Sequence, residues 1–359
     1  MSPNHLKNSA SMSDAVASET ENRCSSVPTP AYRSNEPRAS LAAPLSAKQL
    51  RLGDWLQVKT ATAIKKILDA DGATDGLPFM PEMLKHCGQR FQISHFANKV
   101  CANVGDVEIR SLEDVVVLKV NRCDGCFHGG CQMACELLWK LDWLESLPDT
   151  EHDFVESDLS PESSQLGQQL VQLTAGTGTP EEAKSSGRFY RCQATELGAA
   201  SRQSSPLHFR QYFVERKTNR TPWGSIFRFI ARLLVKKVLR QSDSVAGPCK
   251  TTPIDTLNLQ IDERVKVKPI EEILETLDAN GCNRGLWFDP AEMQPFCGRT
   301  LTVTRRINRI MNEGTGELLE MKVPSVVLNE TQCSGFHRRF CSRAMLHFWC
   351  EVWLERVDS

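Results

Sequence analysis

The stretch that decides the fold, residues 68–93, reads LDADGATDGLPFMPEMLKHCGQRFQI. Residues 277–303, LDANGCNRGLWFDPAEMQPFCGRTLTV, repeat it at an offset of 209 that becomes 210 after one inserted residue. The offset of 210 then holds for these pairs: Glu82 and Glu292, Cys87 and Cys297, Cys123 and Cys333, Cys131 and Cys341, Trp139 and Trp349. A fixed register over this distance predicts two diverged copies of one module of roughly a hundred residues.

Each copy has the same coarse pattern of secondary structure. An alternating strand (54–59; 264–268) precedes a short helix (63–68; 270–277) and an Asp/Asn-Gly turn. Two further strands follow, and each copy is predicted to close with a helix ending in Trp-Leu-Glu. Short strands around a small core predict an α+β fold, with two Src-homology-3-like β-barrel modules elaborated by helices.

Length and composition divide the chain further, since 359 residues exceed the usual size of one core. Polar stretches without apolar periodicity cannot offset their ordering entropy, so they are predicted to be disordered. The predicted segments are 1–48, a disordered arm; 49–146, the first barrel-helix module; 147–186, a disordered linker; 187–250, a connecting segment with an amphipathic helix; and 251–359, a second, degenerate module.

The amphipathic helix is predicted over residues 223–240, WGSIFRFIARLLVKKVLR. Ile226, Phe229 and Ile230 fall on one stripe and Arg228 and Arg232 on another. We expect the apolar stripe to pack between the two modules. Peripheral contact of this helix with a membrane is the alternative that we do not favour.

Charge and targeting signals exclude several classes of protein. The formal net charge of −1 lacks the basic excess of a dedicated nucleic-acid binder, so no nucleic acid is expected as a partner. The N-terminus lacks the pattern of a secretory leader, and a cytoplasmic location is expected. In a reducing compartment, metal ligation, catalysis or burial must account for the 14 cysteines.

The strongest chemical signal is RCDGCFHGGCQMACELLW, residues 122–139. Cys123, His128, Cys131 and Cys135 form the pattern C-x4-H-x2-C-x3-C, with soft and borderline ligands that suit zinc and, as the second choice, iron. Cys131 and Cys135 are expected to share one face of a helix. The sequence therefore predicts a metal site at these four residues, with Cys126 as a fifth candidate.

Two other interpretations of the cluster stay open. The cysteines and the histidine could simply be buried, or Cys131 could be a nucleophile at a helix N-terminus with His128 as its base. Copy two keeps Cys333, His337 and Cys341 but has Met345 at the position of Cys135, so a degenerate structural copy is expected there. The sequence assigns no roles to these other cysteines: Cys87, Cys101, Cys192, Cys297, Cys333 and Cys341.

Several phrases resemble an uncharacterised family of bacterial proteins often encoded beside sugar and natural-product biosynthesis genes. They are LGDWLQV, ILDADGATDGLPFMPEMLKHCG, CDGCFHGGCQMAC with its trailing WLE, YRCQATEL and LDANGCNRGLWFDPAEMQPFCGRT. The resemblance spans roughly residues 50 to 357 and implies the duplicated layout and the Cys/His pattern, without an established activity. Cys126 departs from the small polar residue that the family has there.

The sequence thus predicts a zinc-binding protein of duplicated modules that acts as a binding or accessory factor in a bacterial biosynthetic pathway. Its partner, a protein or a small molecule, is not identified. The alternative is a metal- or thiol-dependent enzyme with its site between the two modules, so the sequence leaves open whether the protein is an enzyme.

Overall fold

The protein has a mixed α+β fold with several antiparallel sheets, two of them five-stranded. The computed structural model describes residues 45–104, 106–120, 122–146, 161–175, 188–206, 208–239 and 245–357, all within one compact unit. The predicted arm lies outside these residues except for 45–48, where Leu45 and Ala47 pack against the first core.

The first half contains ten strands. They are β1 (Trp55–Val58), β2 (Ala73–Thr74), β3 (Leu77–Pro78), β4 (Arg90–Phe96), β5 (Lys99–Val104), β6 (Asp106–Ser111), β7 (Val115–Leu118), β8 (Leu138–Lys140), β9 (Leu144–Ser146) and β10 (Arg202–Gln203). The main sheet has the order β8-β7-β4-β1-β9, and β10, β6 and β5 form a smaller sheet that the sequence did not indicate.

The second half repeats the order of the main sheet. Its strands are β11 (Arg264–Val267), β12 (Cys282–Asn283), β13 (Leu286–Trp287), β14 (Thr300–Met311), β15 (Leu318–Gln332), β16 (Leu346–Cys350) and β17 (Leu354–Arg356). The sheet runs β16-β15-β14-β11-β17. Val116 pairs with Trp139 in the first sheet and Val326 with Trp349 in the second, again 210 residues apart.

The predicted closed barrel is not present in the described residues, because β8 and β9 remain the two edges of the first sheet. Only a short 3-10 helix, Leu141–Trp143, joins these edges. Three residues span at most about 10 Å, so the edges must lie close together and the sheet must curl strongly without closing.

The prediction of a closing helix before Trp-Leu-Glu is wrong. The segment is a strand, the 3-10 helix and a second strand, and it buries both Trp139 and Trp143 completely. The second half has the same sequence of elements around Trp349 and Trp353. The four-residue spacing of the two tryptophans is compatible with a helix and with the observed strand, 3-10 helix and strand. The observed arrangement buries both indole rings.

The described helices are short apart from two. They are α1 (Ala61–Lys65), α2 (Pro161–Thr174), α3 (Leu197–Ala200), α4 (Arg210–Thr218), α5 (Trp223–Leu239), α6 (Ile270–Leu274) and α7 (Pro290–Met293). The amphipathic helix predicted over 223–240 is thus confirmed as α5. Its Ile226 and Phe229 are buried, whereas Phe227 and Leu234 are exposed, so only part of its apolar surface packs inside the protein.

The predicted disordered linker is wrong over α2, while residues 147–160 and 176–187 lie outside the described part of the chain. Leu166 and Leu170, one helical turn apart, are buried in the first core. This pair gives the helix an apolar stripe that packs against the core. The many Gln, Ser and Gly residues around it make the average composition of the segment resemble that of a linker.

The two halves touch through the hairpin of β5 and β6. Ser342 donates its backbone N–H to the carbonyl of Lys99 at 2.8 Å, and Arg343 donates to the carbonyl of Cys101 at 2.9 Å. The Arg343 guanidinium also pairs with Glu313 at 2.5 Å in a buried setting. The loop 336–344 of the second half therefore rests on the hairpin of the first.

We predict that Leu170→Ala destabilises the protein by about 2–5 kcal/mol, because it empties a buried site beneath α2. Val171→Ala, at the exposed neighbouring position, is the control and should change the free energy of unfolding by less than about 0.5 kcal/mol. Denaturant unfolding monitored by circular dichroism measures both. Equal effects of the two substitutions would contradict the docking of α2.

Candidate metal site

A cluster of three potential ligands lies where three segments of the first half meet. Glu82 belongs to a 3-10 helix, Pro81–His86. Cys123 follows β7, and His128 lies in the turn after it. One ligand atom from each residue lies within 4.8 Å of the other two. The residues are 41 and 5 positions apart in the chain, so the fold rather than local spacing brings Glu82 to the site.

Gly125 shapes the turn that carries His128. The backbone N–H groups of His128 and Gly130 both donate to the Gly125 carbonyl, at 3.1 and 3.0 Å. Gly125 has a φ of +73°, and a Cβ there would lie 1.9 Å from the Cys131 carbonyl oxygen. Only glycine fits this position, and the tight turn directs His128 back toward Cys123.

The three side chains contact one another in a buried setting. The Cys123 thiol donates to Glu82 Oε1 at 3.2 Å, and its Sγ lies 3.4 Å from His128 Nε2. Glu82 and His128 are each 3% exposed. Glu82 Oε2 and His128 Nδ1 are buried without a hydrogen-bond partner. A buried carboxylate oxygen without a partner calls for an explanation, and an ion held between Glu82, Cys123 and His128 Nε2 is one.

The protonation of the cluster suits a metal-binding site. Burial, reinforced by the charge of Glu82, raises the pKa of the Cys123 thiol well above its usual value. Burial lowers the pKa of His128. The imidazole is therefore neutral near pH 7, the form that binds metals, while the thiol would release its proton to an incoming cation.

Cys131 and Cys135 are not placed as the sequence predicted. Residues 131–137 contain no helix, and Ala134 has a φ of +49°. Neither cysteine belongs to the group in which all ligand atoms lie within 4.8 Å. The Cys123 backbone N–H donates to the Cys135 carbonyl at 2.9 Å, so the main chain at Cys135 runs directly beside Cys123.

The structure disagrees with Cys131 as a thiolate nucleophile. It lies at no helix N-terminus, and burial raises its pKa rather than lowering it. Burial also raises the pKa of Cys135 to about 12. Both thiols are thus protonated near neutral pH, which is unfavourable for nucleophilic attack.

A cavity of about 20 Å³, enough for one water-sized sphere, connects all four predicted ligands with Glu82. Its wall also includes Cys192 and Gln193 of the connecting segment and Met311 of β14. Cys126, the fifth candidate, is not among the lining residues. The cavity therefore lies where the two halves and the connecting segment meet.

Gln193 and Glu82 are residues that sequence reasoning missed. The Gln193 amide accepts from the Leu138 backbone N–H at 2.9 Å and donates to the Leu138 carbonyl at 2.8 Å and the Pro78 carbonyl at 3.1 Å. It thereby fixes YRCQATEL against the cavity. Glu82 did carry a signal, since its pairing with Glu292 marks a repeated acid inside an otherwise apolar motif.

The second half has the same turn without the same ligands. Arg338, not His337, takes the place of His128, because its backbone N–H donates to the Gly335 carbonyl as His128 does to Gly125. The expectation that His337 retains this position is therefore wrong. Glu292 is satisfied by Ser334, which donates from its backbone and its hydroxyl at 2.8 and 3.0 Å.

The remaining cysteines do not gather into a second cluster within the described ranges. Cys87 lies in the first hydrophobic core and Cys192 lines the cavity. Cys101 instead meets the second half, where its backbone N–H donates to Cys341 Sγ at 3.1 Å. Cys87, Cys101 and Cys192 therefore do not form a group of metal ligands with one another in the described residues.

The chain matches no protein-family model, no curated protein and no solved structure. Across the described ranges, none of the helices has the length and apolar character needed to cross a membrane.

We predict that Gly125→Ala lowers the free energy of unfolding by about 3 kcal/mol or more, since it adds a steric overlap to an unfavourable backbone conformation. Gly130→Ala is the matched control: it has the same φ of +73° but open space around its Cβ. That substitution should cost about 1 kcal/mol, the conformational share alone. Urea unfolding compares the two, and similar losses would contradict the tight turn.

Proposed function

We propose that the protein binds one zinc ion through Glu82, Cys123 and His128, with Cys135 as the fourth ligand. The observation that carries the proposal is the buried group of carboxylate, thiol and imidazole, in which Glu82 Oε2 has no hydrogen-bond partner. Bound zinc would engage Glu82 and the Nε2 atom of His128, which faces Cys123, and would convert the Cys123 thiol to a thiolate. Sulfur, nitrogen and oxygen donors are those that zinc takes in proteins, and iron is the second choice.

Cys135 is preferred over Cys131 as the fourth ligand. Its charge is among the causes that raise the pKa of Cys123, which indicates that the two thiols are close. Cys123 and Cys135 both pack against the first core, whereas Cys131 belongs to a separate apolar cluster with Met133 and Met311, which Cys135 also touches. Cys131 is the alternative fourth ligand, because it also belongs to the predicted motif and lines the same cavity.

The proposed role of the ion is structural. It would tie the 3-10 helix at 81–86 to the segment 123–137, and that segment also docks on the second half. Gln132 donates its backbone N–H to the Arg309 carbonyl at 3.0 Å and accepts from the Asn308 backbone at 2.6 Å. A metal at Cys123 and Cys135 would therefore stabilise the contact between the halves as well as the first core.

A binding or accessory factor fits this site better than the alternative, a metal-dependent enzyme. Catalytic zinc keeps an open position for substrate, and sites for small molecules typically enclose about 300–1,000 Å³. The cavity here is about 20 Å³ and is lined mainly by apolar surface, which leaves little room for a substrate beside an ion.

We also propose that the two halves are diverged copies of one module related to the Src-homology-3 barrel. The shared strand order, the 3-10 helix between the edge strands and the preserved 210-residue register support this proposal. A place in a bacterial biosynthetic pathway rests on the sequence resemblance alone.

Glu82→Gln and Cys123→Ser test the ion. Wild-type protein purified without chelator should contain about one zinc per chain, and each substitution should weaken zinc binding by about tenfold or more. Glu292→Gln is the matched control, because that acid is satisfied by Ser334 and should leave the zinc content unchanged. Elemental analysis and a zinc-chelator titration measure the effect. Wild type without zinc or iron, or equal loss in Glu292→Gln, would overturn the proposal.

Cobalt substitution identifies the fourth ligand. The near-ultraviolet charge-transfer band of bound cobalt grows with the number of coordinating thiolates, so wild type should report about two. Cys135→Ser should lose about half of this intensity, whereas Cys131→Ser should keep it. Cys282→Ser, a half-buried thiol of the second half, is the control. Loss in Cys131→Ser alone would transfer the fourth position to Cys131.

A further inference from the structure

The helical hairpin of α4 and α5 exposes an unusual concentration of large apolar side chains. Seven of the twelve large hydrophobic residues exposed in the described part of the chain fall between Phe209 and Val235. They are Phe209, Phe213, Val214, Trp223, Phe227, Leu234 and Val235. Phe213 and Phe227 are 60% and 64% exposed. Scattered exposed apolar residues are ordinary, but a contiguous group of this kind marks an interaction surface.

The rings of Phe213, Trp223 and Phe227 form one connected group, and together with Phe209 and Leu234 we call it the aromatic face. The ring centroids of Phe213 and Trp223 lie 5.2 Å apart, and those of Trp223 and Phe227 lie 6.0 Å apart. Phe209 precedes Phe213 by four residues, one helical turn. Leu234 follows Phe227 by two turns along α5, which extends the face along that helix.

The opposite side of the hairpin is fixed to the protein body. Glu215 pairs with the buried Lys99 at 3.6 Å, and Asn219 exchanges hydrogen bonds with the backbone of Phe96 at 2.7 and 3.0 Å. Phe229 packs against Phe336 and Phe340 of the second half. The hairpin thus already has its inner contacts, and the aromatic face is a second, outward surface.

Positive charge is concentrated in the same segment as the aromatic face. Residues 208–239 contain eight lysines and arginines and one acid, Glu215, in a chain whose net charge is −1. Glu215 is buried against Lys99, so it does not offset the outer charges. Five of the cations lie exposed on the hairpin: Arg210, Arg216, Lys217, Arg220 and Arg228.

We propose that the aromatic face of this hairpin docks on an anionic lipid surface, independently of the metal site. Trp and Phe side chains insert at the boundary between headgroups and acyl chains, while neighbouring Arg and Lys side chains meet the phosphates. Charge complementarity selects this occupant, because an uncharged apolar partner would leave the five exposed cations of the hairpin without counter-charges. The helices lie on the membrane and do not cross it.

Co-sedimentation of the full-length protein with vesicles tests the proposal. Vesicles of phosphatidylcholine with about 30% phosphatidylglycerol should bind the protein, and pure phosphatidylcholine should bind it at least about tenfold more weakly. Phe213→Ala with Phe227→Ala, and separately Arg216→Glu with Lys217→Glu, should each reduce the partition coefficient by about tenfold or more. Raising the salt from about 0.1 M to about 0.5 M should weaken the binding of wild type.

Trp55→Ala is the matched control, since Trp55 is 53% exposed on β1, away from the hairpin. It should bind anionic vesicles as wild type does. No binding of wild type to anionic vesicles overturns the proposal, as does binding that both double variants retain. Concentration-dependent self-association that Phe213→Ala with Phe227→Ala abolishes, without lipid binding, would assign the face to a second copy of the chain. Zinc content should be the same in all of these variants, so failure here is distinct from failure at the metal site.

Discussion

The buried carboxylate of Glu82 is the constraint on which the candidate site depends. Leaving a buried polar atom without a partner costs about 1–3 kcal/mol, and more if the group is charged. The second half has an acid at the same place, Glu292, and satisfies it with the backbone and hydroxyl of Ser334. The first half has Asp124 at that position, which offers no hydroxyl. The same turn therefore satisfies the acid internally in one half and leaves Glu82 Oε2 without a partner in the other, which is where we propose the cation.

The segment that carries the cluster also contacts the second half of the protein. The segment that carries Cys131 and Cys135 forms the wall of the cavity on one side and hydrogen-bonds to β14 through Gln132 on the other. On a neighbouring surface, the buried pair of Arg343 and Glu313 sits over the β5–β6 hairpin. The halves are thus joined by polar contacts that are costly to leave unpaired, so a change in the turn at Gly125 is expected to reach the second half.

The sequence predicted several strands of the two main sheets and the amphipathic helix because these depend on local periodicity, which residues 90–96 and 223–239 carry clearly. The sequence prediction failed at Trp139 and Trp143. Two residues four positions apart can face the same core both on a helix and on a strand, turn and strand, so their spacing does not distinguish the two structures. Glu82 could not be assigned to the cluster, because a separation of 41 residues leaves no local rule that links it to Cys123. The offset of 210 pairs His128 with Arg338. The sequence prediction paired His128 with the adjacent His337 because the two residues are of the same type.

The net charge of the whole chain does not describe the local surface of α4 and α5. Electrostatic attraction at a surface is screened beyond about 8–10 Å at physiological salt, so a partner senses the charges of one face and not the sum over the molecule. The net charge of −1 averages a strongly cationic hairpin with an acidic remainder. The burial of Glu215 against Lys99 sharpens the contrast, because it removes the one acid of the hairpin from the surface. A chain that looks neutral can therefore present a local surface on which aromatic side chains and cations act together.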